Sequence, residues 1–195
     1  MRAKILCMLA LTAGLAITGC KVSNSGSSNN KDVKIETPLG GMNVKTNDAA
    51  NLDSIGLAVY PGSTRVKDDK DSSADVDMHF GNFRLRVKAA GFRTTDSPDK
   101  VKAYYLKELG KFGDVIECQS HHAVGKLGKT SEGLGCDDSE AKTKVHVNGM
   151  GDPSNIQLKA GSKLHQHVVY IENQSAGTKY GLVALDLPKT EKESN

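Results

Sequence analysis

Two histidines separated by one residue, His165-Gln166-His167, run directly into the apolar segment Val168-Val169-Tyr170-Ile171. In an extended strand alternate residues share a face, so both imidazoles would point the same way. That supplies two nitrogen ligands for Zn or Cu. A third could come from His121-His122 or from His146. No acidic or thiolate ligand stands beside them at metal-binding spacing, so the competing reading is a polar strand end.

The four cysteines divide by position. Cys7 lies inside an apolar leader and Cys20 directly behind it, which leaves Cys118 and Cys136. In an oxidising compartment this pair is expected to be a disulfide; free thiols or a redox pair are the alternatives, and C-x-x-C spacing is absent. Closing the loop between them stabilises the fold by about 3 kcal/mol in the chain-entropy picture.

Other arrangements match chemical motifs only in part. Ala123-Val-Gly-Lys-Leu-Gly-Lys-Thr130 fits a relaxed phosphate-loop pattern. A working loop needs a helix N-terminus directly after it, and Thr130-Ser-Glu-Gly-Leu-Gly135 does not form one, so a mobile Gly/Lys loop without nucleotide is expected. Ser97-Pro98-Asp99-Lys100 matches S-x-x-K, but the companion S-D-N and K-T-G elements are missing, and a helix cap explains all four residues. Asp75/Asp77 and Asp137-Asp138 offer paired carboxylates; the first pair alternates with apolar residues and is expected to face solvent. No G-x-S-x-G occurs, and no nucleophile, base and oxyanion set can be assembled.

The elements that must carry these residues are legible from periodicity. Val33, Ile35 and Thr37, then Met42, Val44 and Thr46, alternate around the turn residues Pro38 to Gly41 and read as a hairpin. Ile55 to Tyr60 reads as a strand closing at Pro61-Gly62. Ala74 to Phe80 and Phe83 to Ala89 alternate around Gly81-Asn82, a second hairpin with one apolar and one charged face. One helix is clear, over about 98–110: Asp96 or Ser97 caps it, and Pro98 and Asp99 suit its first turn. Val101, Tyr105, Leu109 and Phe112 form its apolar stripe, and Gly110 and Gly113 stop it. Further strands are expected at Val115–Cys118, Lys144–Val147, Ile156–Ala160, Val168–Glu172 and Leu182–Leu187. The sum is an α+β fold: one domain over 33–187, mostly antiparallel sheet with one principal helix.

Composition agrees with a lean β-rich core. The 195 residues are 37% apolar and 5% aromatic, with 20 Gly and no Trp. Without Arg2 and Lys4, 24 basic and 23 acidic residues remain, interleaved as in Lys67-Asp68-Asp69-Lys70-Asp71. That excludes the clustered positive face a nucleic-acid binder needs.

Residues 1–19 combine a basic start (Arg2, Lys4) with an apolar stretch, Ile5 to Ile17. As a helix this covers roughly 20 Å, too short to span a bilayer and suited to an export leader. The adjoining Ile17-Thr18-Gly19-Cys20 resembles the lipobox of bacterial lipoprotein precursors. The resemblance implies cleavage before Cys20, a diacylglyceryl group on its thiol, and palmitate-type acylation that ties the protein to a membrane. Lys21, rather than Asp, resembles the pattern sent on to the outer membrane. Residues 20–32, KVSNSGSSNNKD after the cysteine, read as a flexible linker and 188–195 as a disordered tail.

The phrases Tyr60-Pro61-Gly62, Thr95-Asp96-Ser97-Pro98 and Val101…Tyr104-Tyr105…Leu109 resemble a set of uncharacterised bacterial exported proteins, over roughly 55–118. This implies a shared fold and no activity. The expected function is therefore a membrane-anchored envelope lipoprotein, most simply a non-catalytic binding or structural module for an envelope protein or glycan in the periplasm. A Zn/Cu-binding lipoprotein using His165 and His167, and an exported hydrolase without a recognisable motif, are the alternatives.

Overall fold

The computed structural model describes residues 20–25, 31–46, 52–66, 73–136 and 155–189. The leader, Asp137-Asp138, His146, the expected strand Lys144–Val147 and most of the C-terminal tail lie outside them.

Among the described residues, eleven strands and one α-helix make a single antiparallel sheet domain. The strands are β1 (Lys21–Ser25), β2 (Lys31–Thr37), β3 (Gly40–Thr46), β4 (Thr64–Arg65), β5 (Ser73–Phe80), β6 (Phe83–Thr94), β7 (Val115–Gln119), β8 (His122–Ala123), β9 (Ile156–Gly161), β10 (His165–Gln174) and β11 (Gly177–Asp186). Their spatial order is β1-β2-β3-β5-β6-β11-β10-β9-β7-β8, with β4 paired to the far end of β6. Hairpin turns connect β2 to β3, β5 to β6 and β10 to β11, which is why antiparallel pairing dominates.

The helix α1 (Pro98–Leu109) buries Val101, Tyr105 and Leu109, the expected stripe, and Phe112 packs on the same core. Gly110 is itself right-handed helical and leads into a 3-10 turn over Gly110–Phe112. The stop falls at Gly113, whose φ of 107° is closed to most L-residues. Ser97 is the N-cap residue in extended conformation, but its hydroxyl caps nothing. Asp96 instead accepts from Lys100 Nζ (2.8 Å) and from the Tyr60 hydroxyl (3.0 Å).

α1 lies on β9, β10 and β11 and closes the main core with Ala90, Phe92, Leu158, Val169, Tyr180 and Leu182. A smaller cluster on the opposite sheet face holds Ala89, Val168 and Val183. β6 therefore changes its buried side along its length. Leu85, Val87 and Ala89 are buried on one face, then Ala90 and Phe92 on the other.

Two expectations are corrected. Ile55 to Tyr60 is not a strand: Leu52–Ile55 is a 3-10 helix, and residues 57–60 form no regular element and pair with no strand. Its backbone is satisfied by buried phenols instead. The Tyr60 amide donates to the Tyr105 and Tyr180 hydroxyls (3.1 and 3.2 Å), and the Tyr105 hydroxyl donates to the Ala58 carbonyl (3.2 Å). The Pro61-Gly62 turn is present, with Ser63 N donating to Tyr60 O and Gly62 at φ 75°. Second, Lys21–Ser25, read as linker, pairs with β2 as an edge strand. All five of its residues are exposed, so the backbone ladder alone holds it, and a ladder leaves no apolar pattern to read.

Candidate functional site

The helix covers only part of its sheet face. Beyond it, β3, β5 and the first half of β6 turn polar residues to the same side, because alternate positions on these strands are charged. Cross-strand register lines them up in two rows. Asn43 stands opposite Asp77, Asp77 opposite Arg86, Arg86 opposite Asp186, and Asp186 opposite His165. Beside it, Lys45 stands opposite Asp75 and Asp75 opposite Lys88.

The rows form an ion-paired tract. Arg86 Nε donates to Asp77 Oδ2 at 2.9 Å, and Arg86 also lies 3.8 Å from Asp186 Oδ2. Asp186 Oδ1 meets His165 Nδ1 at 2.8 Å, and Lys88 lies 3.8 Å from Asp75. Asn43, Lys45, Asp75, Asp77, Arg86 and Lys88 line an open concavity of about 300 Å³. Asn43 Oδ1 is shielded and accepts no hydrogen bond from the described residues. Asp75 and Asp77, expected in solvent, are half-buried because each has a cation across the strand. Such partly exposed pairs contribute at most about 1 kcal/mol each, so the tract is poorly explained as a stabilising device.

His165 and His167 share a face of β10, as alternate strand residues must, but have different partners. His165 is exposed and spends Nδ1 on Asp186. His167 is half-buried and stacks on Phe112 with ring centroids 3.7 Å apart. Burial holds its pKa below the usual imidazole value, against the opposing pull of Asp186 and the Ile55 carbonyl. His121 is exposed in the β7–β8 turn, and His122 is exposed at the start of β8. Among the described residues no three His, Cys, Asp or Glu side chains converge on a metal position.

Cys118 and Cys136 form the expected disulfide, Cα atoms 5.5 Å apart, buried with Ile116 and Leu134. The loop it closes is tied down in its second half, contrary to the mobile reading. Thr130 is buried; its hydroxyl donates to Gly161 O (3.1 Å) and accepts from Leu134 N (3.0 Å). Ser131 N donates to Asp114 Oδ2 at 2.8 Å, which holds that carboxyl below its usual range. The hydroxyl a phosphate loop would offer to a metal is thus already committed. In the S-x-x-K tetrad, Lys100 is turned to Asp96. Cys20 is exposed directly ahead of β1.

The Tyr60, Asp96 and Tyr104 phrases, far apart in sequence, meet in space. Tyr60 bonds Asp96 and packs edge-on against Tyr104 with centroids 5.2 Å apart, and Thr178 Oγ1 donates to Asp96 O at 2.7 Å. This is a clasp between the helix start and the sheet. Sequence reasoning missed the charged tract, although the alternation of charge in Ala74–Phe80 and Phe83–Ala89 was its visible half. Comparison with protein-family models, with curated proteins and with solved structures gives no match.

Proposed function

We propose that the chain is a lipid-anchored envelope lipoprotein, acylated at Cys20, whose folded part is a non-catalytic binding module with the charged tract as its contact surface. One observation carries the reading: an open, ion-paired concavity on sheet surface left bare by the helix, lined by three cations, two carboxylates and an amide. Among the described residues no hydroxyl or thiol lines it, so it offers no serine- or cysteine-type nucleophile. Arg86, Lys88 and Lys45 suit an anionic group, and Asp75 and Asp77 suit hydroxyls or amines beside it. An envelope protein of mixed surface charge or a charged glycan has both. Lys21 after the acylated cysteine favours the outer membrane where the cell has two.

Two experiments test the two halves of the proposal. Cys20→Ala should move the protein out of the membrane pellet and leave an unmodified N-terminus; a variant that pellets like the parent overturns the anchor. Crosslinking in intact cells should capture a partner with the parent chain and lose it with a Lys45→Glu/Lys88→Glu double variant. Identical crosslinked products from both would remove the tract from the account.

A further inference from the structure

The face opposite the charged tract is apolar, and the β1–β2 ladder reaches its exposed end within one residue of the cysteine. Antiparallel pairing sets Val22 opposite Ile35, Ile35 opposite Met42, Met42 opposite Met78 and Met78 opposite Leu85. These five side chains form one row on one face. The β1–β2 ladder ends with Lys21 opposite Glu36, so Cys20 and Thr37 are the next residues out on the two strands. Thr37 in turn pairs with Gly40, Gly40 with Phe80, and Phe80 with Phe83.

That last row ends in exposed apolar groups. Phe80 is 43%, Phe83 38% and Leu39 84% exposed. Leu39 belongs to the neighbouring turn, and its carbonyl accepts from Gly81 N, which ties the β2–β3 and β5–β6 turns together. Among the described residues, seven large apolar side chains are exposed. Four of them, Val22, Leu39, Phe80 and Phe83, gather at this one end of the domain. The described side chains of β1, β2, β3, β5 and Phe83–Ala89 that point to this face include no charge. Clustered exposed apolar surface of this kind marks a contact site, and Phe and Leu at loop tips suit the boundary between headgroups and acyl chains.

We propose that Leu39, Phe80 and Phe83 form a second membrane contact beside the acylated Cys20. The occupant is the lipid surface itself, because the β1–β2 ladder reaches this row within one residue of the acyl attachment point, and Thr37, Gly40, Phe80 and Phe83 in the row carry no charge to repel hydrocarbon. Two contacts, rather than one tether, orient the domain. The apolar face lies toward the bilayer, and the charged tract, on the opposite face, is held toward the partner. The inference rests on the anchor reading above.

The test uses the purified mature protein in phosphatidylethanolamine/phosphatidylglycerol vesicles with brominated acyl chains. A bimane fluorophore is placed at N82C, in the β5–β6 turn, or at S175C, in the β10–β11 turn. The second site lies at the other end of the sheet, roughly 35 Å away along β6. Quenching several-fold stronger at N82C than at S175C is expected. It should fall to the S175C level in L39S and in F80S/F83S; L39S touches no core and reports even if the double variant unfolds. The mass of the N-terminal peptide reads acylation separately. An acylated protein whose N82C probe stays unquenched overturns the second contact and leaves the anchor standing. An unquenched acylated protein that is dimeric in detergent also overturns it and gives the face to a second copy. An unacylated N-terminus removes the premise and the inference with it.

Discussion

The two halves of the sheet use the same strands for different ends. Where α1 covers β9, β10 and β11, both backbone and side chains are occupied. Val101, Tyr105, Leu109, Leu158 and Val169 are fully buried, and phenol hydroxyls satisfy the amide of the unpaired Tyr60. In the half formed by β1, β2, β3 and β5 no helix of the described residues packs on the sheet, and of β1 every residue is exposed. There the ladder and cross-strand pairs alone order the chain, with apolar residues on one face and ion pairs on the other. The covered half holds the larger buried core, and the other half keeps more of its described side chains at the surface.

That contrast can be broken most sharply by cavity formation. Leu158→Ala, in the covered half, should cost about 2–5 kcal/mol, while Val76→Ala, half-buried in the bare half, should cost below about 1 kcal/mol. Urea unfolding measures both; equal losses would mean that the bare half is packed as tightly as the other. Next in size is the disulfide, which staples β7 at the covered end. Reduction should lower stability by about 3 kcal/mol, read as a shifted urea midpoint, and coincident curves with and without reductant would remove that contribution.

The smallest effect sharpens the comparison through pH. His167 lies where the covered half meets the charged rows, and burial lowers its pKa in the folded state. The unfolded chain therefore binds a proton there more readily than the folded one. Its contribution is fully present above the ordinary imidazole value of about 6.5 and is lost as pH falls through that value toward the folded one. His167→Gln should flatten this part of the stability curve, despite losing the stack on Phe112. An unchanged slope from pH 7 to 5 would mean that other groups dominate.

Legibility in the sequence followed the physics of each element. Both early hairpins and the helix were readable because one buried face leaves a clean period, as in Val101, Tyr105 and Leu109 or in Val76, Met78 and Phe80. The reading of β6 ended at Ala89, five residues short, because burial moves there from one face to the other and Ala89-Ala90 breaks the alternation. β1 was missed for a different reason: an exposed edge strand needs only backbone. Leu57–Tyr60 looked like a strand because its side chains alternate correctly, yet its amides are answered by tyrosines more than forty residues away.

By itself the sequence determined an apolar stretch ending at a cysteine, a pair of cysteines fit to be joined, the period of most elements and the α+β class. These are local patterns of charge, size and spacing, and they need no knowledge of what lies across the sheet. Only tertiary structure decided that Asp77, Arg86, Asp186 and His165 stand in one row, that His165 meets Asp186 while His167 stacks on Phe112, and that Thr37, Gly40, Phe80 and Phe83 share another row. Those are matters of strand order and register, set by pairing between residues distant in the chain.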